Sequence, residues 1–440
     1  MSERLGDLHL GIVCQGDSLQ VALVDASGAL LESSVLQRTL SFAEDLDLAL
    51  RDAPRDLRAI MIATDSLRDA LDSAPRLARV AALRIGGPVS TGVPVLASWP
   101  QQLIDRISPL TQIVDGVVNE SGTELVPFDE AAAERFFERC AGQVDAVAIS
   151  SVFAPLATEY ERRAAATAVR VLGDRMPITM SHSVAGFGLL DRENAAILSA
   201  ALTPLATEIL REIDSVLARY GVESEVFLGQ NDGTLAVLDS AVAAPIRLLE
   251  GAAAAGIYGA GLLAGVRDAV VTSDGLARAG VLRDGFVVMT SAPTWVAGTR
   301  MNVELPVGTG ASAPSHPLAS STGTRVSIAT GSPGANSLPN AEVAAAFGLA
   351  LAPVGATAWV VSERDDSERF RLLQAEQQVI EMAIIAGADP ATVAVSDIDS
   401  IGISHSSKRQ VRIRATGRPM FVSRADRSVI DPPVSYPLTH

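Results

Sequence analysis

Residues 8–25 read LHLGIVCQGDSLQVALVD: two apolar runs of strand length, LHLGIVC and LQVALVD, divided by the polar turn QGDS. Short runs of β-formers bounded by Gly, Asp and Ser predict paired strands. After the turn DASG a third run, ALLESSVL, extends the pair into a meander, and RAIMIATD (residues 58–65) and ARVAALRIGGP (residues 78–88) predict two further buried strands. From Phe128 the pattern changes to helix alternating with strand. FDEAAAERFFERCAG is an amphipathic helix with Asp129 near its start, VDAVAISSVF is a buried strand, TEYERRAAATAVRVLG is a helix closed by Gly173, and MPITMSHS is strand-like. Helix and strand in alternation with short connections predict a mostly parallel sheet.

The second half continues in the same style. A long helical stretch runs from Asp191 to about Tyr220, with an interruption expected at Pro204. EVFLGQ is a strand ending in the turn NDGT; LAVLDSAVAA and the Gly/Ala-rich run GAAAAGIYGAGLLAGV (residues 251–266) read as helices. RDAVVTSDG is a strand into a turn, and ARAGVLRDGFVVM is a hairpin pivoting on Arg283, Asp284 and Gly285. Val307 to Pro339 is rich in Gly, Ser and Pro, either a surface linker or a ligand-facing loop. Two helices follow, in AEVAAAFGLALA and SERFRLLQAEQQVIEMAIIAG, then a β segment, ATVAVSDIDSIGIS with QVRIRATG, and a tail that reads as frayed. A chain of 440 residues exceeds one core and predicts two domains, 1–190 and 191–440. No residue-level repeat is present, so any symmetry between lobes is structural only.

Composition narrows the function classes. Hydrophobic residues make up 48% and charged residues 20%, a globular balance that argues against extended disorder; with aromatics at 4%, the core is left to Ala, Val, Leu and Ile. A formal net charge of −16 repels phosphate backbones and anionic lipid, which argues against nucleic acid and membrane surfaces as partners. Lys408 is the only lysine and no GxxxxGK[ST] string occurs, so a P-loop is excluded and Schiff-base chemistry would rest on Lys408 alone. Cys14 and Cys140, far apart, predict a reducing compartment. MSERLGDLHL lacks the pattern of a secretory leader, and the Gly/Ala run is shorter than the ~20 residues that span a bilayer. The expectation is a cytoplasmic protein. HExxH, CxxC and GxSxG spacings are absent, so neither a zinc site nor a serine-hydrolase elbow is supported; His182 and His405 stand far apart in sequence.

A series of local matches in fixed order resembles the hydantoinase/oxoprolinase family from about residue 8 to about residue 417. ESGTELVPFDEAA and VDAVAISSVFAP fit its N-terminal half. GLLDRENAAILSAAL resembles the acidic-Arg-Glu-Asn run that opens a long helix, and FLGQNDGTL its Gln-Asn-Asp-Gly turn. LLEGAAAAGIYGAGLLAGVRDAVV is similar to its small-residue helix and second phosphate strand. VAGTRMNVELP, AEVAAAFGLALAPVGA and IIAGADPATVAVSDIDSIGIS match later segments. The resemblance implies a two-lobed α/β fold of the actin/hexokinase-like (ribonuclease H-like) ATPase type with a cleft between lobes. It implies ATP and Mg²⁺ as cofactors, a phosphoryl donor that activates an amide or enolate oxygen, and a second hydantoinase-type subunit that finishes the reaction. For a short, hydantoinase A-like member the resemblance implies a small cyclic amide as one candidate substrate. Self-association is a further partner reading.

Set against the family pattern, the phosphate loops are altered. The first, Asp-x-Gly-Gly-Thr, becomes Val13, Cys14, Gln15, Gly16 and Asp17; the second becomes Ser273, Asp274, Gly275, Leu276 and Ala277. A Ser-Gly-Pro turn becomes Gly251, Ala252 and Ala253. An aspartate facing phosphate repels it unless a metal intervenes. Loss of both metal-facing acids is expected to cost roughly 10³ or more in phosphoryl-transfer rate. Asp17 and Asp274 are candidate repositioned catalytic or metal-facing acids, or ordinary turn aspartates. Candidate substrate or nucleotide contacts are Gly16 and Gly275 in the loops, Gln230, Asn231 and Asp232 in NDGT, and Gly256 in the small-residue helix. Arg300 and Asn302, two apart on a strand, and Gly308, Gly310 and Ser312 in the Gly/Ser-rich loop complete the set. Asp191, Arg192, Glu193 and Asn194 read as cleft residues or as helix-start chemistry, and Cys14 as a buried packing cysteine. Two functions remain: a hydrolase-type subunit acting on a hydantoin- or oxoproline-like amide, and a non-catalytic partner of a catalytic subunit.

Overall fold

The computed structural model describes residues 8–39, 41–74, 77–119, 122–273, 279–290, 293–308, 325–328, 338–363, 368–402 and 408–421. The chain opens with β1 (Leu8–Gln15), β2 (Ser18–Val24) and β3 (Leu30–Gln37), then α1 (Phe42–Leu50), β4 (Leu57–Thr64) and α2 (Ser66–Ser73). The next block holds β5 (Val80–Gly87), α3 (Gln101–Ile107), β6 (Leu110–Asp115), the short pair β7 (Val117–Val118) and β8 (Glu124–Val126), α4 (Glu130–Cys140), β9 (Ala146–Ser151), α5 (Glu159–Leu172) and β10 (Ile178–Met180). After α6 (Leu189–Tyr220) come β11 (Glu225–Gly229), β12 (Leu235–Val237), α7 (Leu238–Val242), α8 (Gly251–Ala264), β13 (Ala269–Ser273), β14 (Ala279–Arg283) and β15 (Phe286–Val287). The hairpin β16 (Thr294–Val296) and β17 (Thr299–Met301), β18 (Arg325–Ile328), α9 (Ala344–Ala350), β19 (Val354–Glu363), α10 (Glu368–Ile385), β20 (Ala394–Gly402) and β21 (Lys408–Gly417) close the chain.

The opening meander forms as its sequence reads. Gln15 pairs with Ser18 across the two-residue turn Gly16-Asp17, and β1 lies parallel to β4, which lies parallel to β11. These strands sit inside a nine-stranded sheet ordered β20-β21-β19-β12-β11-β4-β1-β2-β3, so the C-terminal strands join the sheet begun by the N-terminal ones. A second sheet, β15-β14-β13-β18, has the same plan: three antiparallel strands and a fourth parallel to the first. The duplication absent from the residues is thus present in the topology. A third sheet, β10-β9-β5-β6, is parallel throughout, as the helix-strand alternation from Phe128 predicts.

Helices α8 and α9 stack tightly, and glycine makes this possible. A Cβ on Gly259 would fall inside the Ala344 carbonyl, one on Gly348 against the Ala255 carbonyl, and one on Gly11 of β1 against the Ala346 carbonyl. Small residues let helix backbones approach to near contact, and the apolar area lost from side chains is recovered in that close packing.

Two expectations change. α6 runs unbroken for 32 residues through Pro204. Proline in a helix interior costs about 3 kcal/mol, but both flanks are buried, Ala195 to Leu202 before it and Ala206, Ile209 and Ile213 after it. The Ala201 carbonyl, beside the turn disturbed by the proline, accepts the Ala78 N–H at 3.2 Å. LAVLDSAVAA is also not wholly helical: Leu235–Val237 pairs with β11 as a strand before α7 begins, because its three apolar residues are wanted in the sheet core.

Candidate functional site

The parallel strands β1, β4 and β11 end side by side at Gln15, Thr64 and Gly229. The carboxyl edge of parallel strands is where open α/β sheets hold ligands. At this edge Gly16 adopts φ 54°, a left-handed conformation that glycine tolerates. Its N–H donates to Asp65 Oδ2 at 2.6 Å. Arg38 Nη1 donates to Asp65 Oδ1 at 2.7 Å and to the Gly16 carbonyl at 3.1 Å, while its Nε donates to Asp45 Oδ2 at 3.0 Å. The Asp65 N–H in turn donates to the Cys14 carbonyl at 3.1 Å. Asp17 is exposed, and its carbonyl accepts the Arg38 N–H at 3.0 Å. Val13 is fully buried. Burial pushes the neighbouring Cys14 thiol up to about 12, with Asp45 adding to the effect, so it is a protonated packing group.

α8 starts against the same edge, with Gly251 pressed on the Gly229 carbonyl. Its N-cap residue, Glu250, is buried and accepts a hydrogen bond from Arg68 Nη1 at 3.0 Å. A carboxylate at a helix N-terminus is favoured by the helix dipole. Asp274, Gly275, Leu276 and Ala277 of the second loop lie outside the described residues, as do Gly310 and Ser312; Ser273 ends β13. Gly308 lies just past the bridge between Met289 and Pro306, at φ 88°. Gly256 is in mid-α8, where its nearest neighbour is Ala345 of α9.

A cavity of about 360 Å³ is lined in part by the turn that follows β11. One wall is α5 with the 3₁₀ turn Ser181–Ser183 after β10; the other is β19, α10 and the segment after β17. Gln230, Asn231 and Asp232 meet at it, as the sequence reading groups them. Each is also committed to fixing its turn. Gln230 Nε2 donates to Thr234 Oγ1 at 3.0 Å and to the Gly355 carbonyl at 3.2 Å. Asn231 Nδ2 donates to the Ile246 carbonyl at 3.0 Å and its Oδ1 accepts the Glu250 N–H at 2.8 Å, which ties this turn to the start of α8. Asp232 Oδ1 accepts from Thr234 Oγ1 at 2.6 Å, and its Oδ2 is 3.6 Å from buried Arg414.

Arg300 and Asn302 are not brought to one place. Arg300 is 55% exposed and 3.5 Å from Asp191, whereas Asn302 lines the cavity and its amide donates to the Phe187 carbonyl. Arg192, Glu193 and Asn194 are buried and tie the start of α6 to distant segments, beyond any helix-start chemistry. Arg192 donates to Ser181 Oγ at 2.8 Å and to the Ser151 carbonyl at 2.6 Å. Glu193 takes both Arg84 Nε at 2.7 Å and Ser150 Oγ at 2.9 Å. Asn194 accepts from Trp99 Nε1 at 2.7 Å and donates to the Arg300 carbonyl at 2.8 Å.

Sequence reasoning missed the pair that matters most at this cavity. Glu161 of α5 is fully buried, and four donors converge on its carboxylate. Oε1 takes the Ser151 N–H at 2.9 Å and Ser181 Oγ at 2.5 Å; Oε2 takes the His182 N–H at 3.2 Å and stands 2.5 Å from His182 Nδ1. Burial works against this carboxylate, but His182, Arg192 and the Ser181 hydroxyl outweigh it and hold the carboxyl below its usual range. With Nδ1 committed, Nε2 is the ring nitrogen left over, and His182 is one of the residues that line the cavity. On the opposite wall burial pushes the Glu304 carboxyl up, although Arg412 Nη1 stands 3.0 Å from it. A signal was present in the sequence: Glu161 lies on the same α5 face as Tyr160, Ala164 and Ala168, all buried. A carboxylate on an apolar helix face needs a buried partner.

No protein-family model and no curated protein matches the sequence. Solved structures do match. One, "Mechanism of ATP-Dependent Acetone Carboxylation, Acetone Carboxylase nucleotide-free structure", aligns at TM-score 0.62 and 12% identity, over 95% of this chain and 89% of that one. Another, the ATP-dependent caprolactamase from Pseudomonas jessenii, aligns at TM-score 0.61 and 15% identity, over 94% and 88%. The chain therefore has the mixed α/β, actin-like fold of these proteins, as expected from its sequence. Among the described residues, no helix is long and apolar enough to cross a membrane.

Proposed function

We propose that this chain is a hydantoinase/oxoprolinase-like subunit that holds a small cyclic amide, of hydantoin or oxoproline type, in the cavity lined by His182 and promotes its hydrolysis. The observation that carries this reading is the Glu161–His182 pair, whose histidine lines a cavity sized for a small ligand. In this mechanism His182 Nε2 removes a proton from a water that attacks the amide carbonyl. The C–O bond forms, and the ring C–N bond then breaks as the same proton passes to the leaving nitrogen. Glu161 orients the imidazole through its Nδ1, as a carboxylate does behind a catalytic histidine. Likeness to an ATP-dependent caprolactamase supports the substrate class.

The same likeness suggests ATP use, but the residues described here fit Mg·ATP poorly. Gly16 N–H and Arg38 are already held by Asp65, Arg68 is held by Glu250, and buried Val13 stands where the family pattern has its metal-facing acid. Among the described residues no group of three or more His, Cys, Asp or Glu is arranged to hold a metal ion. No step is assigned to nucleotide. A second reading, a non-catalytic partner of a hydantoinase-type catalytic subunit, is favoured by this same filled edge. The test is ring opening of hydantoin and 5-oxoproline by the purified chain, with and without Mg·ATP, beside His182→Gln. Turnover without ATP that is lost in the variant supports the hydrolase; no turnover by the chain alone, with equal turnover when wild type or variant is added to a catalytic subunit, supports the binding partner.

A further inference from the structure

The corner formed by the Gly16 N–H and the Arg38 guanidinium has the chemistry of an anion site, a turn amide and a cation aimed at one point. We infer that Asp65 is the built-in occupant of that site, a carboxylate of the chain itself standing where a phosphoryl or other small oxyanion would bind. Both Asp65 oxygens are used, Oδ2 by the Gly16 N–H at 2.6 Å and Oδ1 by Arg38 at 2.7 Å. Asp65 is placed there by its own backbone, whose N–H is bonded to the Cys14 carbonyl at the end of β1. Asp45 takes the other side of Arg38 at 3.0 Å and Asp69 sits one helical turn beyond Asp65, so an incoming anion also meets repulsion. The repulsion reaches Asp69 itself: burial and the Asp65 charge push its carboxyl up. The fold itself holds Asp65 at the corner, so an external anion must compete with a carboxylate already in place. The site is thus a clasp between the β1–β2 hairpin and β4 that is closed to external anions, independently of what the cavity binds.

The test is calorimetric titration with inorganic phosphate, then with ADP, of the full chain, Asp65→Gly, Asp65→Ser and Asp17→Asn. Asp17 removes the same charge from the exposed turn without opening the corner. The expected result is no phosphate binding by the wild type or Asp17→Asn, and at least tenfold tighter binding by both Asp65 variants. Equal gain in Asp17→Asn would mean general charge repulsion, and no gain in the Asp65 variants would mean no anion site; either overturns the inference. If the Asp65 variants do not fold, the wild type still decides. With ¹⁵N-glycine labelling, the Gly16 amide resonance of the wild type is expected not to move on titration with inorganic phosphate, and a saturable shift refutes the clasp.

Discussion

Replacing Glu161 with Gln tests whether its carboxylate organises the cavity wall. The change is close to isosteric, so packing is kept and only charge and acceptor capacity are lost. In the native protein one oxygen serves the Ser151 N–H and the Ser181 hydroxyl, the other the His182 N–H and Nδ1. A carboxamide offers one oxygen. Whichever way it is turned, its NH₂ confronts a backbone N–H, from Ser151 or from His182, and a buried N–H without an acceptor costs about 1–3 kcal/mol. Arg192 also loses a carboxylate that offsets its burial. Removing one member of a buried charged network costs about 3–5 kcal/mol, and Glu161→Gln is expected in that range by urea unfolding. The effect carries a pH signature. The folded carboxyl lies below its ordinary value of 4.5, so its stabilisation is complete above that pH and fades as pH falls through the folded value. The gap between wild type and variant should therefore narrow under acid and stay constant from neutral pH upward. A loss below about 1 kcal/mol, or a gap that widens in acid, would refute the network.

Two glycines of one helix should behave in opposite ways. Gly259→Ala drives a methyl into the Ala344 carbonyl and should destabilise by about 2 kcal/mol or more, whereas Gly256→Ala meets only Ala345 Cβ at 3.7 Å and should be neutral or stabilising by up to about 1 kcal/mol; thermal unfolding separates them. Cys14 and Cys140, whose thiols burial pushes to about 12 and about 11, should resist alkylation at pH 8 in the native protein and both react in denaturant.

The meander was legible at Leu8–Asp25 because turn residues and apolar runs act locally, and the parallel sheet from Phe128 was legible for the same reason. Pro204 was misread because helix propensity is a local cost, and the burial of α6 on both sides of it is a tertiary gain. The turn Gln230–Asp232 was found by its composition, but its bonds to Ile246, Glu250 and Gly355 come from distant chain and could not be read. Glu161 and His182 stand 21 residues apart in separate elements, and only the packing of α5 on β9 and β10 makes them a pair. Asp65 escaped notice for a related reason. Its sequence neighbours suggest a helix start, and indeed it precedes α2, but the hydrogen bond that defines it crosses 49 residues to Gly16.

The most direct test of the central claim is a crystal structure of the chain soaked with hydantoin in the absence of nucleotide. The account predicts the ring in the cavity that His182 lines, its carbonyl or a bridging water within hydrogen-bond reach of His182 Nε2, and Asp65 still clasping Gly16 and Arg38. Hydantoin bound instead at the carboxyl edge between Gly16 and Gly229, or a cavity that stays empty at saturating ligand, would contradict it.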